Sequence, residues 1–382
     1  MARKREPIRE EELGNWKLLD RFRQEVLPVL AARPLTVSEQ DQRRTLLAED
    51  YFCAYLFAML NPVVTSMRAL CHASHCQKMR PVCSAPFSPA SFSAAQHVFA
   101  PEVLDQVVRS LSQQALGQGQ GGDPRVRQAL KALTAVDGTL LRAVPRMAWT
   151  PAAGPTWAVR LHLHFSVLDQ VPEAWTVTAG NGCERKVFKE VVKPGAMVVN
   201  DRYFSKPYAL LEELQRGGVD FVIRLNDDAF MESAGPERPL TEKDRPAGVV
   251  WDRLMHLGTR GKGPVLRVVR VESGPEVFLL ATTREDLSAE LIGLIYRQRW
   301  QIELFFKWIK TILNCRHWLA ESPAGATIQI YCVLIAALLL MLWTGKRPNQ
   351  RAVESLRLYW LGWATKQELV KLLQRAQPAK KS

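Results

Sequence analysis

Apolar residues in the first third of the chain recur every three or four positions. The spacing is clear in Trp16–Phe22 and again in Tyr51–Leu60, and no strand-like alternation interrupts it between residues 10 and 115. Residues spaced in this way share one face of an α-helix. We therefore predict an all-α N-terminal domain over residues 1–116.

A different pattern begins after the glycine-rich stretch Gly117–Gly122, which we interpret as a linker. Short apolar runs replace the helical spacing, and some of them alternate with polar residues, as along a half-buried strand. The predicted elements, in chain order, are a strand ending at Asp137, a strand over Trp157–Leu168, a strand within Thr176–Val192, a strand ending at Asp201, a helix over Tyr208–Arg216 and a strand over Asp220–Leu225. This succession predicts an α/β domain.

The rest of the chain combines further strands with long helices. Strand-like runs within residues 227–283 predict an inserted β-subdomain, and a helix is predicted from about Ser288 to Leu313. The most apolar segment, Ile330–Trp343, has 14 residues, fewer than the roughly 20 that span a bilayer. We interpret it as a buried helix and expect no membrane association. For residues 346–382 we predict a helical C-terminal region that ends in a basic tail.

The helix predicted from Ser288 carries a carboxylate among groups that bind phosphate. At about 100° per residue, four of its polar residues fall within roughly 60° of arc on one face. These residues are Tyr296, Arg299, Glu303 and Lys310. The alternative is an ordinary solvated face of an amphipathic helix. Two further acids favour the chemical interpretation, because Asp137 and Asp201 each follow a short apolar run, where strands deliver catalytic carboxylates.

These residues resemble the signature of the insertion-sequence-four family of DDE transposases, which is Y-x2-R-x3-E-x6-K. All of its spacings are reproduced by Tyr296, Arg299, Glu303 and Lys310. The segment Asp137-Gly138-Thr139 is similar to an Asp-Gly-Thr element on the first strand of that family. Asp201-Arg202-Tyr203 is similar to its Asp-Arg-Gly-Tyr element, although the glycine is missing here. The resemblance covers about residues 125–345.

The resemblance implies a ribonuclease-H-like catalytic domain. It would occupy residues 124–226 and 284–345, with the β-subdomain of residues 227–283 inserted between its two parts and covering the active site. The activity implied is that of a DNA transposase, which binds the ends of an insertion sequence, cleaves them and transfers the 3′ ends to target DNA. The signature also implies a hairpin intermediate in the cleavage of the second strand.

Three acids and a divalent metal carry the chemistry that the resemblance implies. Asp137 would bridge two Mg²⁺ ions, with Asp201 on one ion and Glu303 on the other, and Mn²⁺ is a possible substitute. Oxygen ligands suit Mg²⁺ because it is a hard cation. Two such ions can activate the nucleophile and stabilise the leaving oxygen of a phosphodiester.

The remaining signature residues are expected to hold DNA. Arg299 and Lys310 would bind phosphates near the cut, since a guanidinium binds phosphate in bidentate fashion and an ammonium acts as a point charge. Tyr296 would donate its hydroxyl to the same backbone. Trp300 or Trp251 would stack on a displaced base, and packing in a core is the alternative for both tryptophans.

Composition agrees with a polyanionic partner. The 382 residues include 51 Lys plus Arg against 38 Asp plus Glu, so the net charge is +13 and favours a polyanionic partner. The resemblance implies that this partner is double-stranded DNA, and we expect the terminal inverted repeats and the target DNA to be bound by a homodimer. Seven irregularly placed cysteines and a charged start at Met1–Glu6 predict a reducing, cytoplasmic location, and the resemblance implies association with the bacterial nucleoid.

Some alternatives stay open at this point. A nuclease of the same fold would cut DNA without joining strands, and a catalytically silent DNA-binding protein would keep the basic surface alone. Residues Ser91–His97, after a Ser88-Pro89 helix start, could read a DNA groove or be an ordinary surface helix. The segment Cys71–Cys83 has enough ligands for zinc but lacks the usual paired spacing.

Overall fold

A computed structural model of the protein describes residues 17–61, 63–117, 121–150, 152–153, 156–258, 263–312, 318–344 and 350–375. The described residues before 134 contain helices and no strand, which agrees with the helical prediction for this region. The helices are α1 (Lys17–Ala31), α2 (Ala48–Leu60), α3 (Met67–Ser74), α4 (Pro89–Ala95), α5 (Glu102–Ala115) and α6 (Pro124–Ala129). The predicted start of α4 is confirmed, since the Ser88 hydroxyl accepts the amide hydrogen of Ser91 at 3.1 Å. Part of the predicted linker, residues 118–120, lies outside the described residues.

A mixed sheet forms the centre of the chain. Its strands are β1 (Thr134–Arg142), β2 (Ala152–Ala153), β3 (Thr156–Ser166), β4 (Val171–Ala179), β5 (Met197–Asn200), β6 (Asp220–Arg224), β7 (Met231–Glu237), β8 (Val249–Leu257), β9 (Val265–Ser273) and β10 (Glu276–Thr282). The strand order is β2-β3-β1-β5-β6-β10-β9-β8-β7, and β4 pairs with the free side of β3. Strands β1, β5 and β6 are parallel neighbours, whereas the other pairs are antiparallel. The α/β prediction is therefore confirmed.

Helices cover the two faces of this sheet. They are α7 (Glu184–Val191), α8 (Tyr208–Arg216), α9 (Ala289–Gln298), α10 (Trp300–Ile312) and α11 (Pro323–Thr344), and the last two helices, α12 (Gln350–Trp360) and α13 (Lys366–Arg375), follow them, with α12 packed against α10 and α13. On the front face, one buried cluster joins Ala135 and Val199 to Phe305 of α10. On the back face, a second cluster joins Val136 and Val198 to α7 and α8. Neighbouring residues of a strand thus enter opposite cores, as strand geometry requires.

Two predicted elements are wrong in detail. The strand predicted within Thr176–Val192 is β4, which ends at Ala179, and Glu184–Val191 is helix α7. The apolar residues of α7 lie on one helical face, so Val187 and Phe188 are buried while its charged residues stay outside. The single helix predicted from Ser288 to Leu313 is two helices that meet at Arg299, and residues 313–317 lie outside the described residues.

The strands of residues 227–283 extend the central sheet. Strand β10 pairs with β6, and β9, β8 and β7 follow in order. Arg267 of β9 joins this part to the chain before α9, because its guanidinium bonds the carboxylate of Asp252 and the carbonyl oxygens of Arg284 and Leu287 at 2.7–3.0 Å. The positions of the domain boundaries stay predictions.

The helix predicted at Ile330–Trp343 is longer than expected. Helix α11 has 22 residues and is long and apolar enough to cross a membrane. The expectation that this segment is too short for a membrane span, which was based on 14 residues, was therefore wrong. Its most apolar window is nevertheless 83% buried inside the protein. It packs against α1, α2 and α5, so the prediction of a buried helix is confirmed.

Candidate active site

Strand pairing brings two predicted acids to one place. The ladder between β1 and β5 ends at the pair Ala135 and Val199. Asp137 and Asp201 each follow two residues later, so both lie beside each other at the same edge and on the front face. The parallel pair Asn200 and Ile223 between β5 and β6 places Arg224 next to Asp201 in the same row. The front row of the sheet is therefore two carboxylates followed by a guanidinium.

Local hydrogen bonds orient both aspartates. A carboxylate oxygen of Asp137 accepts the amide hydrogen of Gly138 at 2.7 Å. Asp201 directly follows β5 and caps a short 3₁₀ turn, since its carboxylate accepts the amide hydrogen of Tyr203 at 2.9 Å. The turn forms without a glycine because the capping carboxylate holds it. The missing glycine of the Asp-Arg-Gly-Tyr element therefore does not prevent Asp201 from following the strand at the sheet edge.

The third acid reaches the front face from α10, which packs against β1. The carboxylate of Glu303 forms an ion pair with Arg299, with 2.6 Å between Oε1 and Nη1. The break between α9 and α10 lies at this arginine, where i to i+3 hydrogen bonds join Arg299 to Tyr296 and Ile302 to Arg299. The guanidinium of Arg299 lies 5.8 Å from the ring of Tyr296.

Electrostatics show that these groups affect one another. The pKa of Asp137 is raised to about 6, first by burial and then by the negative charges of Asp201 and Glu303, whereas the Gly138 amide and Arg299 act to lower it. Burial also raises the pKa of Tyr296, while the guanidinium groups of Arg299 and Arg224 act to lower it. The three acids and two arginines therefore form one electrostatic unit.

A cavity of about 320 Å³ opens beside this unit. Its lining combines guanidinium groups with aromatic rings, and the residues concerned are Arg224, Arg297, Arg299, Tyr296, Phe278 and Trp300. The Trp300 side chain is 55% exposed at this cavity. The Arg224 guanidinium lies 4.7 Å from the centre of the Phe278 ring. Arg224 was not among the residues predicted from the sequence. It follows a short apolar run, which is the same sequence feature that pointed to Asp201.

Two of the five predicted DNA-binding residues lie apart from this cavity lining, as the three acids also do. Trp251 of β8 packs on the back-face cluster, beneath the guanidinium of Arg253 at 5.7 Å. The structure thus places it on the opposite face of the sheet from Glu303. Lys310 lies in the last turn of α10 and is partly exposed.

The donor set suits a hard divalent cation, although its side chains do not converge as they stand. Three carboxylates are oxygen ligands of the type that Mg²⁺ takes, and a cation there would offset the repulsion that Asp137 experiences. Among the described residues, no three His, Cys, Asp or Glu side chains form a group ready to hold a metal ion. Glu303 is engaged by Arg299, so it would have to exchange this partner for the ion.

Comparison with known proteins decides the family. A family model described as the transposase DDE domain matches residues 128–339, which is more than half of the chain. The chain belongs to the DDE transposase family. The match contains both aspartates and the complete Y-R-E-K signature, and the resemblance to the insertion-sequence-four family is confirmed.

The chain is similar in sequence to transposases of several insertion sequences. One is a probable transposase for insertion sequence element IS5377 of Geobacillus stearothermophilus, 26% identical over 55% of this chain and 56% of its own length. Another is a transposase for insertion sequence element IS421 of Escherichia coli, 34% identical over 33% of this chain and 31% of its own. The chain thus spans little more than half of the length of the first of these relatives.

Proposed function

We propose that this protein is a DNA transposase that cleaves the ends of an insertion sequence and joins their 3′ ends to target DNA. The observation that carries the proposal is the row of Asp137, Asp201 and Arg224 across β1, β5 and β6, with Glu303 facing it from α10. Three carboxylates beside several arginines and a nucleotide-sized cavity suit the cutting and joining of phosphodiesters.

The three acids would hold two Mg²⁺ ions, or Mn²⁺ in their place. When bound, such ions activate a nucleophile and stabilise the leaving oxygen. Asp137 would lie between Asp201 and Glu303, as the effects of both neighbours on its pKa indicate. Arg299 would balance the charge of Glu303 until a metal cation replaces the guanidinium as the partner of this carboxylate, since an unpaired carboxylate in a partly buried site is unfavourable.

The cavity would hold the DNA strand next to the cut. Arg224, Arg297 and Arg299 bring three guanidinium groups to its wall, and such groups bind phosphate oxygens in bidentate fashion. Lys310 and the hydroxyl of Tyr296 would assist them. Trp300, rather than Trp251, would stack on a displaced base, because its ring is exposed at the cavity whereas Trp251 packs on the other face.

The other regions would serve DNA binding and assembly. We infer that the helical region up to residue 116 recognises the terminal inverted repeats, with the net charge of +13 supporting attraction to DNA. Residues 227–283 would act as the inserted subdomain that covers the site. Pairing of two ends requires a homodimer on DNA, and cleavage of the second strand would proceed through a hairpin.

The experiment compares the natural protein with Glu303→Ala on a duplex that carries the terminal repeats of the element. Cleavage and strand transfer are followed in Mg²⁺ and in Mn²⁺, and binding is measured by fluorescence anisotropy. We expect Glu303→Ala to lose both reactions by at least about a hundredfold while binding persists. Glu232→Ala, which removes an exposed carboxylate from β7, is the matched control and should keep full activity.

The alternatives predict other results. A nuclease would cleave the duplex but form no joined product. A silent DNA-binding protein would bind the ends and neither cut nor join them in either metal. Each of these results would overturn the proposed transposase activity.

A further inference from the structure

A fully buried polar side chain lies directly behind the candidate active site. Asn200, the last residue of β5, is 0% exposed, and among the described residues neither its amide nitrogen nor its amide oxygen has a hydrogen-bond partner. A buried polar group without a partner is unfavourable, because it gives up its hydrogen bonds to water and gains none in the fold. Such a group in a folded protein therefore needs an explanation.

A second buried polar group lies in the same row of the sheet. His164 of β3 pairs directly with Val136 of β1, and the β1–β5 register places Asn200 on the other side of Val136. His164 is 6% exposed, and its Nε2 has no partner among the described residues. Burial lowers the pKa of His164 to about 4, so the ring is neutral at pH 7 and can donate or accept a hydrogen bond.

The surroundings of these two groups are apolar apart from His162, which lies two residues before His164 on β3 and whose Nδ1 also has no partner among the described residues. Val136, Val198, Phe188 and Phe204 form the back-face cluster here, and the Phe188 ring lies 6.0 Å from the His164 ring. An apolar residue at position 200 would suit this cluster better than an amide. Polar residues that break the local packing pattern are expected where function requires them.

The position of Asn200 indicates what this function is. The parallel ladder between β1 and β5 has two residue pairs, which end one row before the row of Val136 and Asn200. The next residues are Asp137 and Asp201. The paired part of the ladder thus ends before the row of Asp137 and Asp201, so the relative placement of these two acids depends on side chains as well as on strand pairing.

We propose that Asn200 is a positioning residue for Asp201 and that it acts through internal water shared with the imidazole of His164. The two side chains stand about 10 Å apart at their backbones, two strand spacings, and both point to the back face. One or two waters, each making about three hydrogen bonds, can join them. This link would pass over Val136 and tie the end of β5 to β3, which pairs with β1 in this row, and it would thereby fix Asp201 relative to Asp137. The inference rests on the proposed function.

The test uses two β-branched residues that differ in one hydroxyl group. Asn200→Thr keeps a donor and an acceptor at the site, whereas Asn200→Val removes both. Binding of Mn²⁺ to the complex of the protein with terminal-repeat DNA is measured by titration calorimetry, and stability is measured by thermal unfolding. Loss of a group that orients a metal ligand typically lowers metal affinity about 10–100-fold. We expect a fall of at least about tenfold for Asn200→Val, and less than about threefold for Asn200→Thr, with Asn200→Val at least as stable as Asn200→Thr.

A second variant tests the water link. His164→Phe should lower Mn²⁺ affinity as Asn200→Val does, and the double variant should be no worse than either single variant, because both remove the same link. Additive effects would refute the link, and Mn²⁺ affinity unchanged in Asn200→Val would refute the positioning role. If the natural protein binds no Mn²⁺ in a manner that depends on Asp201, the proposed function itself fails.

Discussion

Removal of the acidic half of the buried pair between Arg267 and Asp252 should destabilise the protein strongly. The two side chains are 2% and 5% exposed, and two hydrogen bonds of 3.0 and 2.7 Å join them. In Asp252→Ala the guanidinium stays buried and loses the carboxylate to which it is hydrogen-bonded, and only the weaker interactions with Asp244 and Asp286 remain. Breaking such a pair from one side costs about 3–5 kcal/mol.

The measurement is the free energy of unfolding in urea, followed by circular dichroism. Glu272→Ala is the matched control, because it breaks the pair of Arg270 and Glu272 on the same strand, whose side chains are 38% and 45% exposed. An exposed pair contributes about 0–1 kcal/mol. The double variant Asp252→Leu/Arg267→Met should recover only part of the loss, because an apolar pair can replace a buried ion pair but the carbonyl oxygens of Arg284 and Leu287 lose their donor.

The result also bears on the active site. Arg267 donates hydrogen bonds to the carbonyl oxygens of Arg284 and Leu287, just before α9. If Asp252→Ala releases Arg267 from this position, the helix that carries Tyr296 should loosen. Hydrogen exchange of α9 should rise in Asp252→Ala and stay normal in Glu272→Ala. Equal destabilisation by the two single substitutions would refute the reasoning, because burial would then make no difference to the pair.

Three further predictions follow from single contacts. Gly138→Ala should lower the free energy of unfolding by about 1–3 kcal/mol, because its added carbon would lie 2.8 Å from the carboxyl carbon of Glu184. Glu184 also forms an ion pair with Arg160, so the double variant Gly138→Ala/Glu184→Ala is compared with Glu184→Ala. The two should be equally stable, and a less stable double variant would show that another contact is responsible. Arg33 lowers the pKa of Glu39 to about 2, so this carboxylate stabilises the fold at pH values above its ordinary pKa, and its contribution disappears as the pH falls from about 5 to 2. Between pH 6 and pH 3, the free energy of unfolding in urea should therefore fall on the order of 1–2 kcal/mol more for the natural protein than for Arg33→Gln. Equal losses in the two proteins would exclude the pair as the cause. Trp300→Ala should leave stability nearly unchanged because the ring is 55% exposed, yet weaken binding of terminal-repeat DNA by about 1–3 kcal/mol if the ring stacks on a base; anisotropy titrations against Trp363→Ala, an 81% exposed control, would show whether the effect is specific.

Much of this protein is determined locally. Helical spacing in the first third and short apolar runs after it depend on neighbours a few positions away, and these regions are helices and strands as predicted. The signature from Tyr296 to Lys310 is also local, because residues three and four apart meet on a helix. Its central contact, the ion pair of Arg299 with Glu303, is of this kind.

Tertiary structure decided the rest, because strand pairing joins residues that are distant in sequence. Asp137, Asp201 and Arg224 form a row only through the β1–β5–β6 register. The face that Trp251 takes depends on a register shift between Val249 and Trp251, and a shift of one residue reverses the side of the sheet. Periodicity alone determined that strands were present, whereas their partners determined which side chains share a site.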